Sequence, residues 1–134
     1  MNWHELDAEV RELSGKLTER PDAIVAIVRG GLVPARLLAT LLGVAELYCL
    51  TVVKDGDGRA LTTDITANLE GKSVLLVEDA VESGKSLAAA EYYLEDRGAS
   101  VTTACLYARA GAKHVPDHYL KTVDAIPEFP WERV

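Results

Sequence analysis

Two short runs of this chain are apolar after their first residue: DAIVAIV at residues 22–28 and SVLLV at residues 73–77. A strand with one face in water alternates apolar and polar residues. A strand that is apolar at every position is covered on both faces. Such strands belong to parallel sheets layered with helices and joined by right-handed crossovers. The segments between the runs fit this scheme. Trp3, Leu6, Val10, Leu13 and Leu17 recur at helical spacing and predict an amphipathic helix over residues 3–19, ended by Pro21. Pro34 suits a first helical position and Gly43 a C-terminal cap, with Leu37, Leu38, Leu41 and Leu42 forming one face between them. Residues 85–97 predict a further helix, with Leu87, Ala90, Tyr93 and Leu94 inward and Gly98 after it. Residues 46–53 and 100–108 read as strands. The expected fold is therefore α/β, a parallel sheet flanked by helices.

Two segments lack periodicity. KDGDGRALTTDITANLEG, residues 54–71, is polar and turn-rich and reads as one mobile loop. Residues 109–134 hold three of the five prolines and read as an irregular appendage. At 134 residues, with 49% hydrophobic and 26% charged side chains, the chain suits one soluble domain with a real core. A net charge of −7 excludes a general nucleic-acid-binding role. The acidic start MNWHELDAEV lacks the apolar centre of a signal peptide, and no run reaches the ~18 apolar residues of a membrane span. A cytoplasmic protein that engages neither membrane nor nucleic acid is expected. Cys49 and Cys105 both lie in apolar runs and read as two buried thiols. His4, His114 and His118 lack metal-ligand spacing and read as surface residues, and Trp131 reads as an anchor for the tail.

The chemistry concentrates in two loops that directly follow strands. Ligands of parallel α/β sheets bind beyond the carboxyl ends of the strands. In VLLVEDAVESGKS (residues 74–86), Glu78, Asp79 and Glu82 repel one another, while Ser83-Gly84-Lys85-Ser86 open a helix. Free N–H groups and the helix dipole favour an anion there, although Ser83 acting only as a helix cap explains the serine equally well. Adjacent carboxylates at a strand mouth suit a hydroxyl-bearing, metal-chelated ligand; the alternative is a solvated acidic turn. A Walker nucleotide loop is excluded, because Asp79 stands where its first glycine belongs. The DGDG at residues 55–58 is no calcium loop, since Arg59 breaks the acid series and Thr66 replaces the bidentate glutamate.

VLLVEDAVESGKS resembles the phosphoribosyl-pyrophosphate (PRPP) motif of the type I phosphoribosyltransferases: apolar strand, two acids, a third acid, then a small phosphate loop. Ala80 is smaller than usual there. VRGGLVPARLLA resembles the pyrophosphate loop of the hypoxanthine and xanthine-guanine members, and the tail, with FPWE, resembles their C-terminal hood. The resemblance implies one domain over residues 1–134, with a core of about 20–108 and a small hood of about 109–134. It implies a purine salvage enzyme that transfers ribosyl-5-phosphate from PRPP to a 6-oxopurine, with Mg²⁺ as cofactor and a homodimer as the assembly.

Residue by residue, the resemblance implies Glu78 and Asp79 at the ribose hydroxyls, and indirectly at the metal. Val81, Ser83, Gly84, Lys85 and Ser86 surround the 5′-phosphate, and Arg29, Gly30 and Gly31 the pyrophosphate. Glu82 handles the purine proton, and Arg109, Ile126 and Glu128 lie at the base. The mobile loop closes over the site and brings Lys54 or Arg59 to the pyrophosphate, although a solvated charge explains either residue equally well. A cis peptide bond is expected beside Arg29. Three residues depart from the pattern: Glu82 stands for an aspartate, Arg109 for a lysine and Ile126 for a tryptophan. These departures keep two alternatives open, a non-catalytic PRPP-binding regulator and a transferase for another base.

Overall fold

A computed structural model of the chain describes residues 1–133; Val134, the last residue of the expected hood, lies outside the described residues. Helix α1 (Trp3–Lys16) begins where the Asn2 side chain accepts a hydrogen bond from the Glu5 N–H at 2.8 Å. It buries Leu6, Val10 and Leu13. The helix ends earlier than its apolar spacing predicts, because Gly15 weakens the last turn and Leu17 turns extended. Trp3, expected on the inner face, is 56% exposed and only leans on Trp131, ring centroids 6.3 Å apart.

Strand β1 (Ala23–Val28) leads into α2 (Leu32–Leu42), which closes at Gly43 in the left-handed conformation. The buried face of α2 is Pro34, Ala35, Leu38 and Ala39; Leu41, expected inside, faces solvent. Strand β2 (Leu47–Asp55) turns back as β3 (Gly58–Leu61) in an antiparallel hairpin. Strand β4 (Ser73–Val77) is followed by the two-residue β5 (Ala80–Val81) and by α3 (Lys85–Asp96). Then come β6 (Ser100–Ala104), β7 (Tyr107–Arg109), β8 (Lys121–Val123) and a 3₁₀ turn, Pro130–Glu132.

The main sheet has the order β3-β2-β1-β4-β6, parallel except for the edge strand β3. Side chains of β1 alternate between two cores. Ile24 and Ala26 pack with α1 and α2, through Leu6 and Leu38. Val25 and Ile27 pack with α3, through Leu87 and Leu94. The chain leaves β1 toward β2 on one side and β4 toward β6 on the other. The crevice beyond the ends of β1 and β4 is thus the switch point of the sheet, where α/β folds bind ligands.

Three further expectations are corrected here. Residues 54–71 are not one loose loop. Gly56, with φ of 59°, sits at the first turn position of a two-residue hairpin connection, which favours glycine there. Farther on, Ile65 and Leu69 are buried, and the Ile65 N–H donates to the Tyr93 hydroxyl at 2.9 Å. The predicted strand over residues 100–108 divides between two sheets. β6 pairs with β4, whereas β7 joins a small parallel sheet of order β5-β7-β8. Its apolar run is unbroken because residues 103–108 are all buried, whichever sheet they serve. Of the two cysteines, Cys105 is buried as expected but Cys49 is exposed, on the outer strand pair.

Phe129 fastens the tail to the rest. It is 1% exposed, its ring lies 5.9 Å from Tyr107 and 4.8 Å from Trp131, and the Tyr107 hydroxyl donates to Glu9 of α1. Removing a buried aromatic ring costs about 3–5 kcal/mol through lost burial and cavity formation. Phe129→Ala should therefore lower the urea unfolding free energy by about that amount. Tyr92→Ala, at a side chain 74% exposed, should change it by less than about 0.5 kcal/mol.

Candidate active site

The end of β4 delivers Glu78 and Asp79 into the switch-point crevice, and backbone bonds hold them there. The Glu78 N–H donates to the Ala104 carbonyl at 3.1 Å, and the Asp79 carbonyl accepts from Leu106 at 2.9 Å. Among the side chains, Asp79 Oδ1 accepts from the Ala80 N–H at 2.6 Å and Glu78 Oε1 from the Asp79 N–H at 3.1 Å. Burial is the main cause that pushes the Glu78 carboxyl well above its ordinary range, and the neighbouring Asp79 charge adds to it. Burial also raises Asp79, against the pull of the Ala80 amide. Such a pair favours hydroxyl donors or a cation brought by a ligand.

Facing the acids is the loop after β1. The Val28–Arg29 peptide bond is cis, as the resemblance implies. A side-chain carbon at Gly30 would sit 2.5 Å from both Asp79 carboxylate oxygens; one at Gly31 would overlap the Val77 carbonyl and lie 2.8 Å from that of Ile27. The two glycines are thus fixed by close approach to β4. Arg29, Gly30, Leu32, Glu78, Asp79, Trp131 and Glu132 line a cleft of about 880 Å³.

A second, smaller hollow of about 170 Å³ adjoins it, lined by Glu78, Val81, Glu82, Ser83, Gly84, Ser86 and Arg59. Gly84 opens α3 with φ of 89°, and a side chain there would overlap the His114 carbonyl. The Ser83 carbonyl in turn accepts from the N–H groups of Lys113 and His114, at 3.1 and 3.3 Å. The segment after β7 therefore braces the loop from behind. Ser83 Oγ accepts from the Lys85 N–H at 3.2 Å, but the N-cap itself is Gly84, which has no side-chain cap, so the serine is not the helix cap.

Lys85 itself is redirected: its Nζ donates to the Asp57 carbonyl at 2.8 Å, at the tip of the β2–β3 hairpin, and its side chain does not line the hollow. Arg59 reaches the phosphate-loop hollow rather than the Arg29 loop, while Lys54 is exposed and lines neither cleft.

The three expected base residues are more dispersed. Val81 pairs with Ala108, so Glu82 and Arg109 emerge at the same end of the small sheet. Ile126 packs half-buried against the core, and Glu128 is exposed and paired with Arg133 at 2.7 Å; neither lines a cleft. Trp131 and Glu132 line the large cleft instead. Trp131 is also stacked on Phe129, so it combines the expected anchoring with a place in the wall. The only sequence signal for these two was the FPWE motif that contains them.

Comparison with known proteins agrees with this geometry. A family model described as "Phosphoribosyl transferase domain" matches residues 2–133. The chain is similar to the xanthine-guanine phosphoribosyltransferase of Chromohalobacter salexigens, 34% identical, covering 98% of this chain and 82% of that protein. It is also similar to the enzyme of the same name from Idiomarina loihiensis, 27% identical over 98% of this chain and 85% of the relative. Among solved structures, the purine phosphoribosyltransferase of Pyrococcus horikoshii superposes with a TM-score of 0.91 at 33% identity, covering 100% of this chain and 93% of that one.

The raised Glu78 carboxyl fixes a sign. Between the ordinary value of 4.5 and the raised one, the folded state holds a proton that the unfolded state has lost. Stability contributed by this site therefore falls as pH rises through that window. Glu78→Gln should flatten that decline and give a Tm above wild type at pH 8, read from melting curves between pH 4 and 8.

Proposed function

The chain belongs to the phosphoribosyl transferase domain family, and we propose that it is a purine salvage phosphoribosyltransferase acting on a 6-oxopurine: hypoxanthine, guanine or xanthine. It transfers ribosyl-5-phosphate from PRPP to the base and releases pyrophosphate. One observation carries this reading. A half-buried acidic pair stands between a glycine loop bearing Arg29 and a helix-opening serine loop, each next to its own cleft. A ligand with a diphosphate, vicinal hydroxyls and a phosphomonoester matches those three parts in that order.

In this reading Arg29 and the Gly30–Gly31 backbone hold the pyrophosphate. Glu78 and Asp79 orient the ribose hydroxyls, and Val81, Ser83, Gly84 and Ser86 surround the 5′-phosphate, with the Lys85 amide in the helix opening. Glu82 takes or returns the purine proton. Arg109 emerges beside it as a donor for the exocyclic oxygen, whereas Ile126 and Glu128, which line neither cleft, take no direct part. Fixing both ends of PRPP leaves the anomeric carbon between them, so catalysis rests on positioning and on charge stabilisation of the departing pyrophosphate.

The oxygen-rich acids also suit Mg²⁺. Among the described residues no cluster of three or more His, Cys, Asp or Glu forms a metal cage; the ion would be chelated by the pyrophosphate and ribose hydroxyls of the ligand, with Glu78 and Asp79 acting on it through those hydroxyls. When bound, Mg²⁺ supplies neutralisation of the diphosphate charge.

Residues 1–134 act as one domain in this reading, a core of about 20–108 under a hood of about 109–134. Exposed Leu41 on α2 and Val53 on β2 support a homodimer. A cytoplasmic location fits the acidic charge of −7; among the described residues no helix is long and apolar enough to cross a membrane.

Incubation with PRPP and Mg²⁺ against hypoxanthine, guanine, xanthine, adenine and uracil tests the reading. Glu82→Gln keeps size and hydrogen bonding but accepts no proton, so kcat should fall ~10²–10⁴-fold while PRPP affinity stays near wild type. Tight PRPP binding without transfer to any base would make the protein a PRPP-responsive regulator, the reading favoured by the dispersed base residues.

A further inference from the structure

We propose that His114, through the hydrogen bond from its ring to Glu91 on α3, is a positioning residue for the Ser83–Gly84 backbone. The pair holds the segment after β7 against the helix and so sets the geometry in which a phosphomonoester is received. The inference rests on the ribosyl-phosphate reading above and adds to it a residue that acts from behind the loop, through its backbone.

The Ser83–Gly84 step is shaped from outside. The Ser83 carbonyl accepts from the Lys113 and His114 N–H groups at 3.1 and 3.3 Å. Gly84 holds φ of 89°, with the His114 carbonyl and Cβ in the space a side chain would occupy. The free amides that open α3 follow this step. Where residues 113 and 114 sit therefore decides where an anion meets those amides.

Few contacts fix that segment. Residues 111–116 belong to no helix or strand, and Gly111, Lys113 and Val115 are exposed. Ala110 is tied to Val123 before it, and Asp117 to Thr103 after it. Between these anchors, among the described residues, the one side-chain hydrogen bond joins His114 Nε2 to Glu91 Oε2 at 3.0 Å. A carboxylate only accepts, so Nε2 carries the proton and donates it. Glu91 lies about two helical turns beyond Gly84 on the same face of α3. His114 thus holds the helix at two points, by its backbone at the opening and by its ring farther in. The segment cannot slide along α3 without breaking the ring contact. The two side chains are 39% and 20% exposed, so water competes for both and the pair adds little to global stability. Its effect is local, which separates positioning from general support of the fold.

Ribose 5-phosphate, which carries only the phosphomonoester, and inorganic pyrophosphate are each titrated calorimetrically into wild type and five variants. These are His114→Ala, Glu91→Ala, the double variant, Glu91→Gln and Glu95→Gln. His114→Ala and Glu91→Ala should each weaken ribose 5-phosphate by about 3–30-fold. The double variant should lose no more than either, because all three remove the same contact. Glu91→Gln still offers an oxygen to Nε2 and should keep most of the affinity. Glu95→Gln, at an exposed acid one turn farther along α3, should change neither ligand. Pyrophosphate should bind every variant as it binds wild type, and urea midpoints should stay near wild type. In turnover, KM for PRPP should rise with kcat nearly unchanged, as for binding shared by ground and transition states. The proposal is overturned if both alanine variants bind ribose 5-phosphate as tightly as wild type, if their losses add in the double variant, or if Glu91→Gln loses as much as Glu91→Ala. A parallel loss of pyrophosphate or a large fall in urea midpoint overturns it too, since the pair would then support the fold at large. If wild type binds no ribose 5-phosphate, the ribosyl-phosphate reading falls and this assignment with it, whereas equal binding by the alanine variants strikes the assignment alone.

Discussion

Glu78 and Asp79 are adjacent carboxylates, pressed against each other and drawn partly out of water at the mouth of a strand buried along its length. Burial raises both carboxyls, which means the folded state bears their charge at a cost. Much of the surrounding architecture can be derived from this constraint. The opposing loop must carry no side chain at Gly30, because Asp79 oxygens occupy that space. The backbone behind them is tied to Ala104 and Leu106, so the main chain that carries the acids is fixed by the link between the two sheets. Fold stability and site chemistry thus pull against each other at one pair of residues, as is common where a binding site is pre-organised.

The tail is structural before it is functional. β7 leaves the main sheet and pairs with β5, the two residues that follow the acids. The segment after β7 then passes behind the phosphate loop, where Lys113 and His114 donate to Ser83. Its end returns to α1 through Phe129, Tyr107 and Glu9. A chain that reads as irregular therefore supports the most ordered part of the site from two directions. Gly84 fits this layout, since its left-handed backbone and the close His114 carbonyl both exclude a side chain.

The parts that were legible in the sequence are those governed by local rules. β4 ends where its apolar run does and begins one residue before it, at half-buried Ser73, because the fully buried part of a strand covered on both faces is apolar. Gly43 and Gly98 mark helix ends because each adopts a positive φ. The motif at residues 74–86 carries its chemistry in contiguous residues, so the acids, the serine loop and the family could be read together. Less visible were features set by partners far along the chain. The hairpin at residues 54–61 was hidden by its polarity, although Gly56 was its signal. Cys49 reads as buried from its neighbours, but it lies where the helices do not cover β2.

The amino-acid sequence by itself determined the layered α/β architecture, the helix and strand order through residue 100 apart from the hairpin and the two-residue β5, and the family. Each of these follows from periodicity or from a contiguous motif. Only the tertiary structure decided where the predicted strand at residues 100–108 changes sheet, because residues 103–108 are buried on both sides of the change. It alone turned Lys85 away to Asp57, brought Arg59 across 27 residues of chain to Ser86, and set Trp131 in the cleft wall. The direction of a long polar or aromatic side chain depends on what packs beside it, and those neighbours come from segments that no local pattern connects.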